Sequence, residues 1–542
     1  LIAVKAKPDP LSSLAGAVRV VLILLLAAAI VWTILLDFLP PLEKDALIHH
    51  LAVPKLWLRA GGFVETPWAY FSYYPMNLEL LYLIPLALKA DWGAKLIHNG
   101  FGLATALLLF FYLRRRLGLN WGLAGALIFL TTPMIMRLAV SADVDLGLAF
   151  FMTAAVLGLI WWRETGRGRF FLLSALALGL GLGTKYNALI ALPLLGLGLA
   201  GVLSRRRAGT ARSIGGSAVY LGLALLVFSP WLVKNFVLTG NPIYPLYNGL
   251  WGLPAVTPAG YDFDLFTTRR FFYGESLGQV LLIPVRAFFQ GRDFNPRFFD
   301  GVLNPGLLLL PPLALIRPAA PEVRPLALLA LLWTTVVFFQ ASFLVRYLVP
   351  ILPVLVILTV FGLKALWSAL SRVMPGRLAA AIPALVLAAF LYPNGAWAAQ
   401  FWSKLDPAPY LTGRESRQAY LTRRLDHYPA MDFINRHLPP SARVLFLFAG
   451  GRGYYCDRDY FYHTYYSGEV LRPIIEGAAS WEDVLAGLKR LGATHVLTRE
   501  DLLGEYLQTA FSSEKLRLWI NFSKNGWERL YQAEGYRVYA VK

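Results

Sequence analysis

Residues 17–38 read AVRVVLILLLAAAIVWTILLDF, and residues 39–58 continue LPPLEKDALIHHLAVPKLWL. The first run is apolar over a length that crosses a hydrocarbon slab of about 30 Å as a helix. The second mixes carboxylates, imidazoles and short apolar stretches, as helices lying on a membrane surface do. Apolar runs recur at 96–113, 119–136, 146–162, 170–183, 187–203, 216–233, 302–316, 325–343, 347–367 and 378–397. The expected fold is therefore an α-helical polytopic membrane protein of about eleven transmembrane helices. Lys5 and Lys7 precede the first run without a small-residue cleavage pattern, so it reads as a retained helix.

Composition agrees. The 542 residues are 57% hydrophobic and 15% charged, with mean hydropathy +0.54, whereas soluble domains carry about 25% charged residues. The net charge of +19 does not read as nucleic-acid binding, because the basic residues fall in short clusters between apolar runs. With the N-terminus cytoplasmic, the inside loops hold Arg114 to Arg116, then Arg163, Arg167 and Arg169, then Arg205 to Arg207 with Arg212, then Arg317 and Arg324, then Arg372 and Arg377. This obeys the positive-inside rule and makes Leu78 to Ala90 a non-spanning, re-entrant piece, since one more crossing would invert every later loop. The membrane part then covers 1–400 with extracytoplasmic loops at about 39–95 and 234–301, and 401–542 form an extracytoplasmic tail. Arg443 to Phe448 and Thr494 to Leu497 read as strands, 431–437 and 481–491 as helices, and Arg529 to Tyr531 with Tyr536 to Val541 as a hairpin: a small C-terminal α/β domain. The single cysteine, Cys456, excludes an internal disulfide.

Ionisable groups at a membrane boundary are costly, so they are the candidates for chemistry. Asp45 and Glu43 follow the first span, and Asp143 and Asp145 occupy SADVD between the third and fourth spans, so carboxylates from two loops can meet in one cavity. Helix capping is the plainer role for Asp45, and for one of Asp143 and Asp145. On a helix, His49 shares a face with Asp45. His49 and His50 are thereby a possible divalent-metal pair, although no third ligand is evident and packing is the plainer role. Arg346 in RYLVPILP, Lys185 in GTKYNAL and Lys55 are cations suited to a phosphate, with snorkelling as the alternative. Trp68, Tyr70, Tyr73, Tyr74, Tyr244 and Tyr247 could stack on sugars or form an interfacial belt. AGGRGYY at 449–455 reads as a glycine-rich turn, because it lacks dinucleotide-loop spacing.

Six stretches in order, KDALIHHLAVPKLW, YYPMNLELLYLIP, SADVDLGLAFF, GTKYNAL, WLVKNFVLTGNPIYPL and RYLVPILP, resemble the GT-C superfamily of multispanning glycosyltransferases. The resemblance is to the branch with protein O-mannosyltransferases and the lipid A aminoarabinose transferase, and it covers about 17–400. It implies a GT-C-like membrane domain in a bacterial or archaeal plasma (inner) membrane, taking a sugar from a polyprenyl-phosphate carrier such as undecaprenyl phosphate. The sugar passes, usually with inversion, to a glycolipid, polysaccharide or protein acceptor on the outer face, with no cofactor required and a divalent metal possible. The first-loop aspartate, here Asp45, is implied as general base. The family commonly has an Asp-Glu pair there; Ala46 follows Asp45, so Glu43 or Asp143 is left to supply the second carboxylate. With Asp45 and Asp143 as the catalytic pair, the substrate and phosphate set is Arg346, Lys185, Lys55, Asp145, His49, His50, Glu79 and Tyr347. A flippase for lipid-linked sugars and a non-catalytic membrane scaffold are the rival readings.

Overall fold

The computed structural model describes residues 15–205, 209–254, 264–340, 342–463 and 470–542. Lys5, Lys7, Arg206 and Arg207 lie outside the described residues.

Among the described residues seven helices are long and apolar enough to cross a membrane, or eight where the bent pair Leu119–Thr131 with Pro133–Ala139 is taken as one span. Asn77–Ala87, Gly168–Leu182, Gly306–Ile316 and Val323–Phe338 are apolar but shorter. The 68° bend follows from Pro133, which withholds a backbone donor and drives Thr132 into an extended conformation (ψ 124°). Pro311 and Pro312 likewise divide the expected 302–316 helix into Gly306–Leu309 and Pro311–Ile316. The 216–233 run lengthens to Thr210–Thr239.

Three of the arginine-bearing connections meet at one end of the bundle. Arg116 pairs with Glu164 and, at 2.7 Å, with Glu322, joining three separate connections. The helix Asp145–Thr165 then carries the chain about 30 Å to the other end, where the carboxylates lie. Leu78 to Ala90 does not span: Asn77–Ala87 is an 11-residue helix whose Leu78, Glu79 and Tyr82 are buried. The Asn77 amide donates to Gly183 O (2.9 Å) and its side chain to Leu180 O (3.1 Å). Close approach elsewhere also needs glycine: a Cβ on Gly362 would lie 2.1 Å from Leu310 O.

The tail is a five-stranded sheet of β1 Arg443–Leu447, β2 Asp459–His463, β3 His495–Arg499, β4 Trp527–Ala533 and β5 Tyr536–Val541, in order β2-β1-β3-β5-β4. β1 runs parallel to β2 and β3, and β5 is antiparallel to β3 and β4. Glu534 and Gly535, both with positive φ, turn the β4–β5 hairpin. Strand β2 and helices Glu500–Ala510 and Ser513–Asn525 were not anticipated from the sequence pattern. The domain docks on the first loop: Trp68 packs edge-on against Tyr460 and Tyr462, and Ala69 enters the same apolar cluster as Met431, Ile434 and Phe446.

Candidate active site

Residues Ala46–His50 form a π-helix rather than the expected α-turn, with Leu51 N–H reaching Ala46 O at 2.9 Å. In an α-helix His50 would point some 140° away from Asp45. The wider π-turn brings both His49 and His50 round to the side of Asp45. The carbonyl of Leu47, inside this turn, accepts from the backbone N–H of Tyr454 in the tail (3.1 Å). The glycine-rich turn at 449–455 therefore holds the loop that carries Asp45, with Gly450 and Gly451 at φ 75° and 66° permitting its course.

Asp45 and Arg346 form an ion pair at 2.5 Å. The other arm of Arg346 lies 3.7 Å from Asp145, which binds Lys185 at 2.7 Å. Asp45, Arg346, Asp145 and Lys185 thus alternate in sign along one chain of contacts drawn from four segments. Beside it, His50 donates from Nδ1 to Glu79 (2.6 Å), and its Nε2 faces Asp143 at 4.0 Å. Asp143 accepts from Ser141 Oγ (2.9 Å), and its carbonyl accepts from the Tyr82 hydroxyl. Neither Asp143 nor Asp145 caps its helix through the side chain. His98 accepts from the Leu146 amide (2.9 Å) and turns its other nitrogen to the carbonyls of Leu138 and Ser141, which fixes the SADVD loop. The only sequence signal for His98 is an imidazole inside an apolar run.

Side-chain exposure grades the cluster: Asp45 28%, Arg346 19% and Lys185 14%, against 2% for Asp145 and Glu79. Asp45, Arg346 and Lys185 are thus the more accessible members of the cluster. Behind them, His50 Nε2, Glu79 Oε2, Asp143 Oδ1, Asp145 Oδ2 and Arg346 Nε are buried with no hydrogen-bond partner. Such convergent unsatisfied groups are rare outside functional sites.

Burial works to raise the Asp45 carboxyl, but the Arg346 guanidinium outweighs it and holds the group well below the usual carboxylate range. Burial, together with the charge of His50, keeps His49 neutral, and its ring stacks on Phe71 at 4.4 Å. For His50 burial opposes protonation, yet the hydrogen bond and charge of Glu79 prevail and raise its pKa. Glu43 is pushed up to about 7, by burial first; Arg137 opposes, and Asp143 and Asp45 reinforce the rise.

Lys55 lies apart from this cluster. Its ammonium binds Tyr454 O (2.7 Å), Cys456 O (3.1 Å) and Asp457 (2.7 Å), tying the first loop to the tail. Tyr347 follows Arg346 in a 3₁₀ turn, and its carbonyl accepts from the Trp333 indole at 3.0 Å. Among the described residues no group of three or more His, Cys, Asp or Glu is placed to hold a metal ion; the His49–His50 pair gains no third ligand, because Asp45 turns to Arg346 and His50 to Glu79. Trp68 is used in docking the tail, and Tyr73 stacks edge-on against Tyr244 at 4.8 Å.

Compared with solved structures, the whole chain superposes on the crystal structure of ArnT from Cupriavidus metallidurans bound to undecaprenyl phosphate, with TM-score 0.59 and 16% identity, covering 96% of this chain and 97% of that one. The chain has the GT-C fold. The archaeal oligosaccharyltransferase AglB from Archaeoglobus fulgidus, in complex with an inhibitory peptide and a dolichol-phosphate, is similar at TM-score 0.52 and 13% identity, covering 96% of this chain and 74% of that one. Residues 80–233 match the family described as dolichyl-phosphate-mannose-protein mannosyltransferase. No curated protein sequence matches the chain. The matched segment holds Asp143, Asp145 and Lys185, while Asp45 and Arg346 lie on either side of it. The shared fold thus accounts for the helical bundle and the tail that follows it.

Proposed function

We propose that the protein is a membrane glycosyltransferase that moves a sugar from a polyprenyl-phosphate carrier to a hydroxyl acceptor on the extracytoplasmic face, with Asp45 as general base. The observation that carries this reading is the alternating chain Asp45–Arg346–Asp145–Lys185 at the accessible end of the buried cluster. The similar ArnT structure is bound to undecaprenyl phosphate, which fits a lipid-phosphate donor here.

Paired with Arg346, Asp45 is a poor proton acceptor. A donor phosphate entering beside Arg346 and Lys185 competes for the guanidinium, since Arg binds phosphate in two-pronged fashion. Asp45 loses its partner, its pKa climbs toward that of an ordinary carboxylate, and it becomes a usable base. The acceptor O–H then gives its proton to Asp45 while the oxygen forms the new bond to the anomeric carbon. The bond from that carbon to the carrier phosphate oxygen breaks, and the phosphate leaves with the electron pair against Arg346 and Lys185. Attack opposite the leaving group inverts the anomeric centre. Donor binding in this way switches on the base.

The test is transfer of radiolabelled sugar from polyprenyl phosphate to candidate acceptors by the purified full chain, repeated with Asp45→Asn. Losing a positioned base costs about 10²- to 10⁴-fold in rate. Undiminished transfer by the variant removes Asp45 from this role, and lipid movement across vesicles without transfer replaces the reading with a flippase.

A further inference from the structure

The second long loop holds a cavity of about 470 Å³ that includes none of the carboxylate cluster. Its walls are the short helices Leu277–Leu281 and Ile283–Arg286 and the turn that follows them. The lining has one carboxylate, Glu275, against the guanidinium groups of Arg286, Arg292 and Arg297. Glu275 is already satisfied, by Arg286 at 2.9 Å and by Arg269 at 3.5 Å. Arg292 and Arg297 are exposed, each set beside the Phe298 ring (4.4 and 5.9 Å), and neither has a carboxylate partner among the described residues. Two free guanidinium groups therefore face one polar cavity.

The turn bearing them is rigid. Arg292 N–H donates to Phe298 O (2.9 Å) and Gly301 N–H to Arg292 O (3.1 Å). A Cβ on Gly291 would lie 2.2 Å from Gly301 O, so the two backbones meet where only glycine fits. Arg137 grips Asp300 at 2.8 Å and Asp293 at 3.3 Å from below. The backbone that carries the arginines is thus set in advance of any ligand.

Exposed apolar side chains stand on the same loop. Phe289 lines the cavity and is 54% exposed, and Phe271, Leu281 and Leu282 are 83%, 56% and 55% exposed. So much bare apolar surface is unstable in water and at ease at the edge of a bilayer. Basic groups beside an apolar rim match a molecule that is anionic at one end and hydrocarbon at the other. We propose that this cavity binds the phosphate headgroup of an anionic membrane phospholipid, with Arg292 and Arg297 on the phosphate and the acyl chains along Phe289 and Leu282. The Phe299 carbonyl, next to Phe298, accepts from Val345 N–H at 2.8 Å, so the seated lipid steadies the turn that leads into Arg346.

Lipid retention by the purified full chain in detergent, counted by native mass spectrometry, tests this without any use of transfer activity. The probes are dioleoylphosphatidylglycerol, dioleoylphosphatidylcholine and inorganic phosphate. The expected result is preferential retention of phosphatidylglycerol, roughly tenfold or more weaker binding in Arg292→Ala/Arg297→Ala, and partial recovery in Arg292→Lys/Arg297→Lys. Arg114→Ala/Arg115→Ala, at the other end of the bundle, should bind as the parent does. Equal retention of the zwitterionic lipid, unchanged binding by the double alanine variant, or complete displacement of the lipid by inorganic phosphate overturns the proposal.

Discussion

Arg346→Gln and Asp45→Asn, made singly and together, should give strongly non-additive losses of stability. The paired atoms are 2.5 Å apart, which puts the charge centres about 4 Å apart. At an effective dielectric near 20 that is worth about 4 kcal/mol. Partial exposure of both side chains, 28% and 19%, admits solvent screening and brings the expected coupling down to about 2 kcal/mol. Arg346→Gln alone leaves Asp45 without its cation and should cost about 2–3 kcal/mol, somewhat under the range for a fully buried pair. The double variant should cost less than the two singles added, by the coupling. Denaturant unfolding of the purified full chain in detergent measures all four corners of the cycle. The sign of the pH dependence follows from the depressed Asp45 pKa: its contribution is complete above the ordinary carboxylate range and disappears as pH falls through the folded-state value. The coupling should therefore be the same at pH 6 and pH 8. Additivity within about 0.5 kcal/mol would refute the pairing, and with it the argument that a donor phosphate must draw Arg346 away to make Asp45 a base.

Glu43→Gln should flatten the pH dependence of thermal stability between pH 4.5 and about 7: the folded chain holds the Glu43 proton more tightly than the unfolded one, so the parent loses stability as pH rises through that window and the variant does not. Lys55→Met removes three bonds to the tail and should weaken docking by about 1–2 kcal/mol, read as faster protease cleavage of the tail with the membrane bundle intact. Gly362→Ala forces the Leu310 backbone away and should lower stability by about 1–3 kcal/mol, seen as a reduced Tm in detergent.

Much of the architecture was legible in one dimension because a bilayer imposes one-dimensional rules. A span needs a certain length of apolar sequence, and arginine clusters mark one side, so the spans, the non-spanning Leu78 to Ala90 piece and the grouping of Arg116 with the 163–169 and 317–324 connections could be read by counting. Breaks at Pro133 and Pro311 were visible as residues but not as angles, because the bend depends on what packs against the freed backbone. Short apolar runs marked strands β1 and β3 and a closing hairpin marked β4 and β5, whereas the short aromatic β2 carries no distinctive pattern.

For the candidate site, the residue types and their placement at membrane edges singled out Asp45, Asp143, Asp145, Lys185 and Arg346 before any coordinates. Which of them touch was decided only in three dimensions. The π-turn at Ala46–His50 brings two imidazoles round to Asp45, and the tail supplies a hydrogen bond inside that turn through Tyr454. Lys55 has the charge a phosphate calls for, yet it faces Asp457 rather than the cluster. Charge and hydropathy are properties of a residue and survive in a string of letters. Pairing is a property of distances between segments hundreds of residues apart, such as the 301 separating Asp45 from Arg346, and only packing of the folded chain sets those distances.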